Sequence, residues 1–415
     1  MRARAVNPLF AVIIPVFNNW GLTRDCLDSL REHTPGDNFE VVVVDNGSVD
    51  AGRTELEPLG NSLFPGRFTV VRFEENRNFG PACNAGAYTA TASLLFFLNN
   101  DTVLTPGWAE PLLDALRADD SLGAVGPLLL YPDNTVQHLG VVVTPSGIDH
   151  LYKGIPSGHP VIGNARTLQC LTGAAFFTRR QLFWEIGGFY EGYRNGCEDL
   201  ELSVRIRERG YALRCVPASR VYHLESKTPG RMDKEKDNFR LLFERCGDSL
   251  AVDIHRHARN DGFEPRLNGW DDIDVVTAQA LSELLFASLP PDSPEMTAAL
   301  LGQNPFWLQG AERLCAMFER AGDIAAAFGA AWRAMEIHPT PAAGKKALAL
   351  AAKAGNSSAV EGCEQALRAL LARHADTARR ISRLERIIAR ARLHNDAELE
   401  HLYLQRLREV APGTD

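Results

Sequence analysis

Short, unbroken apolar runs alternate with helical stretches along the first hundred residues, and this alternation constrains the fold most. Phe10 to Val16 is rich in Val and Ile. Trp20 to Arg31 places Leu22, Cys26, Leu27 and Leu30 at helical spacing. Phe39 to Val44 contains four consecutive valines, and Phe68 to Phe73 reads as a third strand. Pro81 to Ala92 reads as a helix and Leu94 to Leu98 as a fourth strand. Strands that are apolar throughout, separated by helices, imply a mostly parallel sheet covered on both faces. This is a Rossmann-like α/β class.

Ligands of such sheets bind beyond the carboxyl ends of the strands. The polar residues of this chain fall there. The first strand ends in Pro15-Val16-Phe17-Asn18, the second in Asp45-Asn46-Gly47-Ser48, the fourth in Asn99-Asn100-Asp101-Thr102. Three loops far apart in sequence are therefore expected to build one site.

Later segments differ. Residues from Gly123 to His223 have a mixed pattern with Gly- and Pro-rich turns, and a helix is expected from about Leu200 to Arg209, stopping at Gly210. Residues 226–272 look transitional, with a helical stretch near Phe239 to Arg245. Beyond about residue 275 the composition turns to Ala, Leu, Arg and Glu. Ala321-Gly322-Asp323 and Ala354-Gly355-Asn356 break helices at a spacing close to one tetratricopeptide repeat of roughly 34 residues. Leu393-His394-Asn395-Asp396 is a third, less regular break. The expected division is 1–250 as an α/β domain, 251–275 as a linker and 276–415 as an all-α helical-repeat domain. An irregular helical bundle is the alternative for the last part.

The formal net charge of -8 argues against a nucleic-acid backbone as partner. The eight cysteines show no C-x-x-C spacing, so they read as reduced thiols of a cytoplasmic protein. Arg2 and Arg4 before an apolar run imitate a signal peptide, but Pro15, Asn18 and Asn19 favour a buried first strand. No stretch reaches the ~20 apolar residues of a membrane span, so membrane contact would be peripheral, at the inner face.

Each candidate residue taken alone has two readings. Asp101 after a buried strand offers hard oxygen to Mg²⁺ or Mn²⁺, with substrate phosphates completing the shell, or it caps a turn. Asp45 can accept hydrogen bonds from a nucleobase or ribose, or it belongs to a plain Asn-Gly turn. Asn78 can cap the helix that follows and free backbone N–H groups for a phosphate, or cap it with no ligand at all. Glu198 and Asp199 suit a helix N-terminus by charge alone, yet one of them can serve as a general base. His223 is a core histidine or a metal ligand.

Together, their order and spacing resemble glycosyltransferase family 2, whose members have the GT-A fold. The matching residues are Ile14-Pro15-Val16-Phe17-Asn18, Val44-Asp45-Asn46-Gly47-Ser48 with Asp50, and Asn78-x-Gly80-x-x-x-Asn84-x-Gly86. Leu98-Asn99-Asn100-Asp101-Thr102, Gly173-Ala174 and Gly187-Gly188-Phe189 with Glu191 follow. Glu198-Asp199-Leu200-Glu201-Leu202 with Arg205, and Tyr222-His223, complete the set. The resemblance covers about Ala11 to His223. It implies a hexosyltransferase-type, inverting enzyme of polysaccharide biosynthesis or protein glycosylation. Its donor would be a nucleoside-diphosphate sugar and its acceptor a glycan, a lipid-linked glycan or a protein. Pro15, Phe17, Asn18, Asp45, Asn78, Gly80, Asn84, Asn99 and Asn100 would line the donor site. Asp101 would hold Mn²⁺ or Mg²⁺, with His223. Asp199 would be the base and Glu198 its alternate. Asn100 and Glu201 depart from the family's usual residues.

A nicotinamide dehydrogenase would show G-x-G-x-x-G after the first strand, and this chain does not. The Gly-rich, Arg- and Lys-bearing phosphate loop of a sugar-nucleotide pyrophosphorylase is also missing. A non-catalytic scaffold that binds a partner through residues 276–410 is the alternative function. The same helices could serve self-association.

Overall fold

The computed structural model describes residues 8–224 and 234–412. Arg2, Arg4 and the start of the segment expected to be transitional lie outside the described residues. The chain divides into two compact units. The first is Met1–Val142 with His150–Leu250, and the second is Val143–Asp149 with Ala251–Asp415.

The first unit opens with β1 (Phe10–Val16), α1 (Trp20–His33), β2 (Phe39–Asn46), α2 (Gly52–Leu63), β3 (Phe68–Phe73), α3 (Phe79–Thr89) and β4 (Leu94–Leu98). It continues with β5 (Thr102–Leu104), α4 (Glu110–Ala118), β6 (Leu122–Leu130) and β7 (Val136–His138), after which β8 (Val141–Thr144) begins in the first unit and ends in the second, and β9 (Gly147–His150) belongs to the second but for its last residue. After β10 (Ala175–Arg179) and α5 (Arg180–Glu185) come α6 (Glu198–Glu208), β11 (Ala212–His223) and α7 (Glu235–Cys246). Strands β8 and β9 pair with each other, and the remaining nine form one sheet ordered β3-β2-β1-β4-β10-β6-β11-β5, with β7 beside β6.

The expected parallel sheet is present in β3, β2, β1 and β4. Strand β10 then runs antiparallel between β4 and β6. Alternation along β1 shows why both faces are covered. Val12, Ile14 and Val16 join a core with Cys26 and Leu27 of α1 and Leu112 of α4. Ala11 and Ile13 face Cys83 of α3, Phe183 of α5 and Leu202 of α6. Successive strand side chains point to opposite faces, so one apolar run feeds two cores.

The second unit contains α8 (Ile254–Asn260), β12 (Phe263–Leu267), β13 (Ile273–Thr277), α9 (Gln279–Ala287), α10 (Pro294–Gln303) and α11 (Leu308–Ala321). Then follow α12 (Ile324–Ile337), α13 (Pro341–Lys353), α14 (Ser357–Ala375), α15 (Thr377–Leu393) and α16 (Ala397–Val410). The stretch 251–275, expected as a linker, is folded. It forms α8 and most of the β12–β13 hairpin, and Val276 of β13 sits in the core with Trp307 and Ala327. The physical reason is pairing: charged residues that looked solvated are buried against counter-charges, as Asp271 is against Arg380.

Candidate active site

The loop after β1 is set by left-handed backbone. Asn18 and Asn19 have φ of 55° and 57°, a conformation that asparagine tolerates. The Asn18 N–H donates to Ser48 Oγ at 2.9 Å, and Asn18 Oδ1 accepts from the Val49 N–H at 2.9 Å. Trp20 N–H donates to Asp50 at 2.9 Å. The loops after β1 and β2 are thus latched together. Gly47 has φ of 81°, and a Cβ there would lie 2.7 Å from the Glu75 backbone, so only glycine fits.

Several residues expected at the donor site have partners within the protein. Asp45 is buried, with Oδ2 2.7 Å from Arg72 and Oδ1 accepting the Ser48 N–H at 2.9 Å. Pro15 and Phe17 are half-buried, with Pro15 opposite Val44 in the sheet. Asn84 Nδ2 donates to the Phe189 carbonyl at 2.8 Å and to Glu191 at 3.0 Å, while its Oδ1 accepts the Phe189 N–H at 2.9 Å. It braces the Gly187–Glu191 loop. Gly80 is buried, and a Cβ there would lie 3.3 Å from the Tyr190 carbonyl oxygen.

Asn78 precedes α3 with φ of 69°, but its side chain makes no cap bond. Asn195 Oδ1 accepts the Phe79 N–H at 2.8 Å instead. Asn46, quoted in the second strand-end motif but given no role there, and Asn76 order the same loop: Asn46 Oδ1 accepts the Arg77 N–H and its Nδ2 donates to the Asn78 carbonyl, while Asn76 Oδ1 accepts the Asn78 N–H.

At the end of β4, Asn100 Nδ2 donates to Thr23 Oγ1 at 2.9 Å, and Asn99 Nδ2 lies 3.4 Å from His223 Nε2. Asp101 and His223, far apart in sequence, come together because β5 and β11 pair with His223 opposite Thr102. His223 Nε2 is 3.2 Å from Asp101 Oδ1. His223 Nδ1 is 2.6 Å from Gln137 Oε1, a contact that no local sequence signal announces.

Asp199 arrives from the first turn of α6. Its Oδ2 accepts the Gly173 N–H at 2.6 Å and its Oδ1 the Leu200 N–H at 2.9 Å. The next residue, Ala174, accepts the Asn99 N–H at 2.8 Å through its carbonyl. A short path of backbone therefore joins Asp199 to the Asp101 loop. Glu198 is buried, and its Oε2 accepts the Gly196 N–H at 2.7 Å. Glu201 is buried between Arg205 and Arg245, at 2.7 Å from each, which marks it as structural.

Burial, followed by the negative charges of Glu198 and Asp199, pushes the Cys83 thiol well up. Burial, reinforced by Asp101, pushes Cys26 up to about 12. A divalent cation suits this edge. Asp101 supplies a hard oxygen and His223 a ring nitrogen 3.2 Å from it, a donor pair of the kind that divalent cations take. Among the described residues no group of three or more His, Cys, Asp or Glu is placed to hold a metal. Two protein ligands fit a cation that shares its shell with phosphates. Among the described residues no helix is long and apolar enough to cross a membrane.

Residues 11–187 match the family model for glycosyl transferase family 2. The chain is 33% identical over 227 residues to the O-antigen biosynthesis protein RfbC of Myxococcus xanthus, covering 53% of this chain and 17% of that protein. It is 28% identical over 236 residues to polypeptide N-acetylgalactosaminyltransferase 5 of Caenorhabditis elegans, covering 53% of this chain and 37% of that one. The chain thus spans well under half the length of these relatives. A crystal structure of GalNAc-T7 with UDP, GalNAc and Mn²⁺ superposes with a TM-score of 0.43 at 20% identity, covering 62% of this chain and 55% of that one. Residues 11–187 of this chain are therefore a domain similar to those of glycosyl transferase family 2.

Proposed function

We propose that the chain transfers a sugar from a nucleoside-diphosphate sugar to an acceptor hydroxyl in one inverting displacement. The observation that carries this reading is the Asp199 carboxylate, held by the Gly173 N–H one residue from the Ala174–Asn99 bond that leads to Asp101. Asp199 takes the hydroxyl proton as the acceptor oxygen bonds to the anomeric carbon. The anomeric carbon–oxygen bond to the diphosphate breaks, and that electron pair leaves with the phosphate. Asp101 and His223 would hold Mn²⁺ or Mg²⁺, which when bound offsets the charge of the departing diphosphate. Glu198 is buried and turned to Gly196, which favours Asp199 over it as the base. The O-antigen relative favours a surface-glycan acceptor, free or lipid-linked, over a protein. That chemistry would run in the cytoplasm, at the inner face of the membrane. The second unit would serve as a tetratricopeptide-like module for a partner or for self-association.

A panel of nucleoside-diphosphate sugars, assayed for slow hydrolysis and then for transfer, identifies the donor. Asp199→Asn should lower turnover about 10²–10⁴-fold, the usual share of general-base assistance. Donor affinity should change little, because the lost interaction belongs to the transition state. A product that retains the anomeric configuration, or a variant within a few-fold of the parent, would overturn the assignment.

A further inference from the structure

The geometry points to Gln137 as a positioning residue: it fixes the proton of His223 on Nδ1 and keeps Nε2 as a bare lone pair facing Asp101. This rests on the reading of Asp101 and His223 as a cation-holding pair. Gln137 is the middle residue of β7 and is 2% exposed. Leu129 pairs with His138 and Leu130 with Val136, so Gln137 is the extra residue of a β-bulge. Bulges re-aim a side chain, and this one aims Gln137 at His223 across the sheet.

Both ends of the amide engage the same histidine. Gln137 Nε2 donates to the His223 carbonyl at 3.0 Å, and Gln137 Oε1 lies 2.6 Å from His223 Nδ1. A backbone carbonyl accepts only, so the nitrogen end of the glutamine must face it, and the oxygen end is left for Nδ1. An amide oxygen also accepts only, so Nδ1 carries the hydrogen. A neutral imidazole has one N–H, and Nε2 is then an acceptor. Its surroundings agree in part: Asn99 Nδ2, a donor, is 3.4 Å away. Asp101 Oδ1 at 3.2 Å is a second acceptor. Two acceptors at that distance repel unless a metal cation binds both or, at lower pH, a second proton on Nε2 lies between them. The opposite tautomer would relieve this by donating from Nε2 to Asp101, but it would set the Nδ1 lone pair against the Gln137 oxygen. Gln137 decides between the two neutral tautomers through contacts to His223.

The test uses the full-length chain. Nitrogen-15 NMR of His223 without metal at about pH 8.5, well above the usual imidazole value, reports where the proton sits. A proton on Nδ1 alone is expected; one on Nε2, alone or shared, overturns the proposal. Mn²⁺ affinity, read from the EPR signal of free Mn²⁺, is then compared across variants. Gln137→Met should weaken it about 10–100-fold, the usual effect of losing a group that orients a metal ligand. Gln137→Glu still accepts from Nδ1–H and should keep most of the affinity. Equal losses in the two variants, or no loss in Gln137→Met, also overturn it. If the parent chain binds no Mn²⁺, the cation reading fails, while the NMR result still decides what Gln137 does.

Discussion

A side chain at Gly173 would crowd the proposed base: a Cβ there would lie 3.1 Å from Asp199 Cβ and 3.4 Å from its Oδ2, so the carboxylate would have to shift. Gly173→Ala should push the carboxylate off its backbone donor. Because small misplacements near the chemistry can cost about 10²-fold, turnover should fall by up to that factor while donor affinity holds. Separate measurement of kcat and donor KM checks this; a rise in KM alone would refute it. Asp101→Ala should weaken nucleoside-diphosphate binding measured with Mn²⁺ by calorimetry, and EDTA should weaken it in the parent chain. Affinity unaffected by EDTA would remove the cation from the scheme. The placement of Asp101 after a strand and of Asp199 at a helix start was legible in the sequence because strand ends and helix starts are local features. Their neighbours were not: Asp45 is engaged by Arg72, and Asn84 by a loop 105 positions away. No spacing rule reports a partner at that distance.

Helix α3 shows the same limit at the scale of an element. The sequence suggests Asn78 as its cap, since Asn is favoured there. Asn78 instead adopts φ of 69° and leaves the bond to Asn195. Asn195→Ala should therefore cost about 1 kcal/mol, the usual loss of an N-cap, whereas Asn78→Gly should be neutral or stabilising because glycine tolerates positive φ. Urea unfolding of both variants checks the contrast, and a larger loss for Asn78→Gly would reverse it. At three helix breaks of the second unit local signals sufficed. Each expected break contains a residue with positive φ, Gly322, Gly355 or Asn395, and the next residue caps the following helix. Asp323, Asn356 and Asp396 accept the N–H of Ala326, Ala359 and Leu399. The direction of β10 was not legible, because an apolar run reads alike in parallel and antiparallel neighbours. Helix α2, with Pro58 inside it, gave no clear pattern.

At the scale of the whole molecule, the composition shift near residue 275 marks the helices but not the start of their unit. That unit begins at Ala251 and takes in Val143–Asp149, a return of distant chain that composition cannot report. Its hairpin is held at Asp271, a buried residue with φ of 54° in the β12–β13 turn. The Asp271 carboxylate lies 2.6 Å and 2.7 Å from the Arg380 guanidinium nitrogens of α15. Its carbonyl accepts Tyr403 OH at 3.0 Å and Arg383 at 2.9 Å. Asp271→Asn keeps the shape and removes the charge, which leaves the largely desolvated Arg380 guanidinium against a neutral amide. Breaking a buried pair by removing one partner costs about 3–5 kcal/mol, because the remaining charge stays desolvated. The effect should be local. Hydrogen exchange in the full chain should accelerate for amides of β12, β13 and α15, while those of β1 to β4 stay protected. A second substitution, Arg380→Met, should recover part of the loss by removing the stranded charge. An Asp271→Asn chain with unchanged exchange in β12 and β13 would mean that packing of Trp307 and its neighbours, rather than the ion pair, holds the hairpin in place.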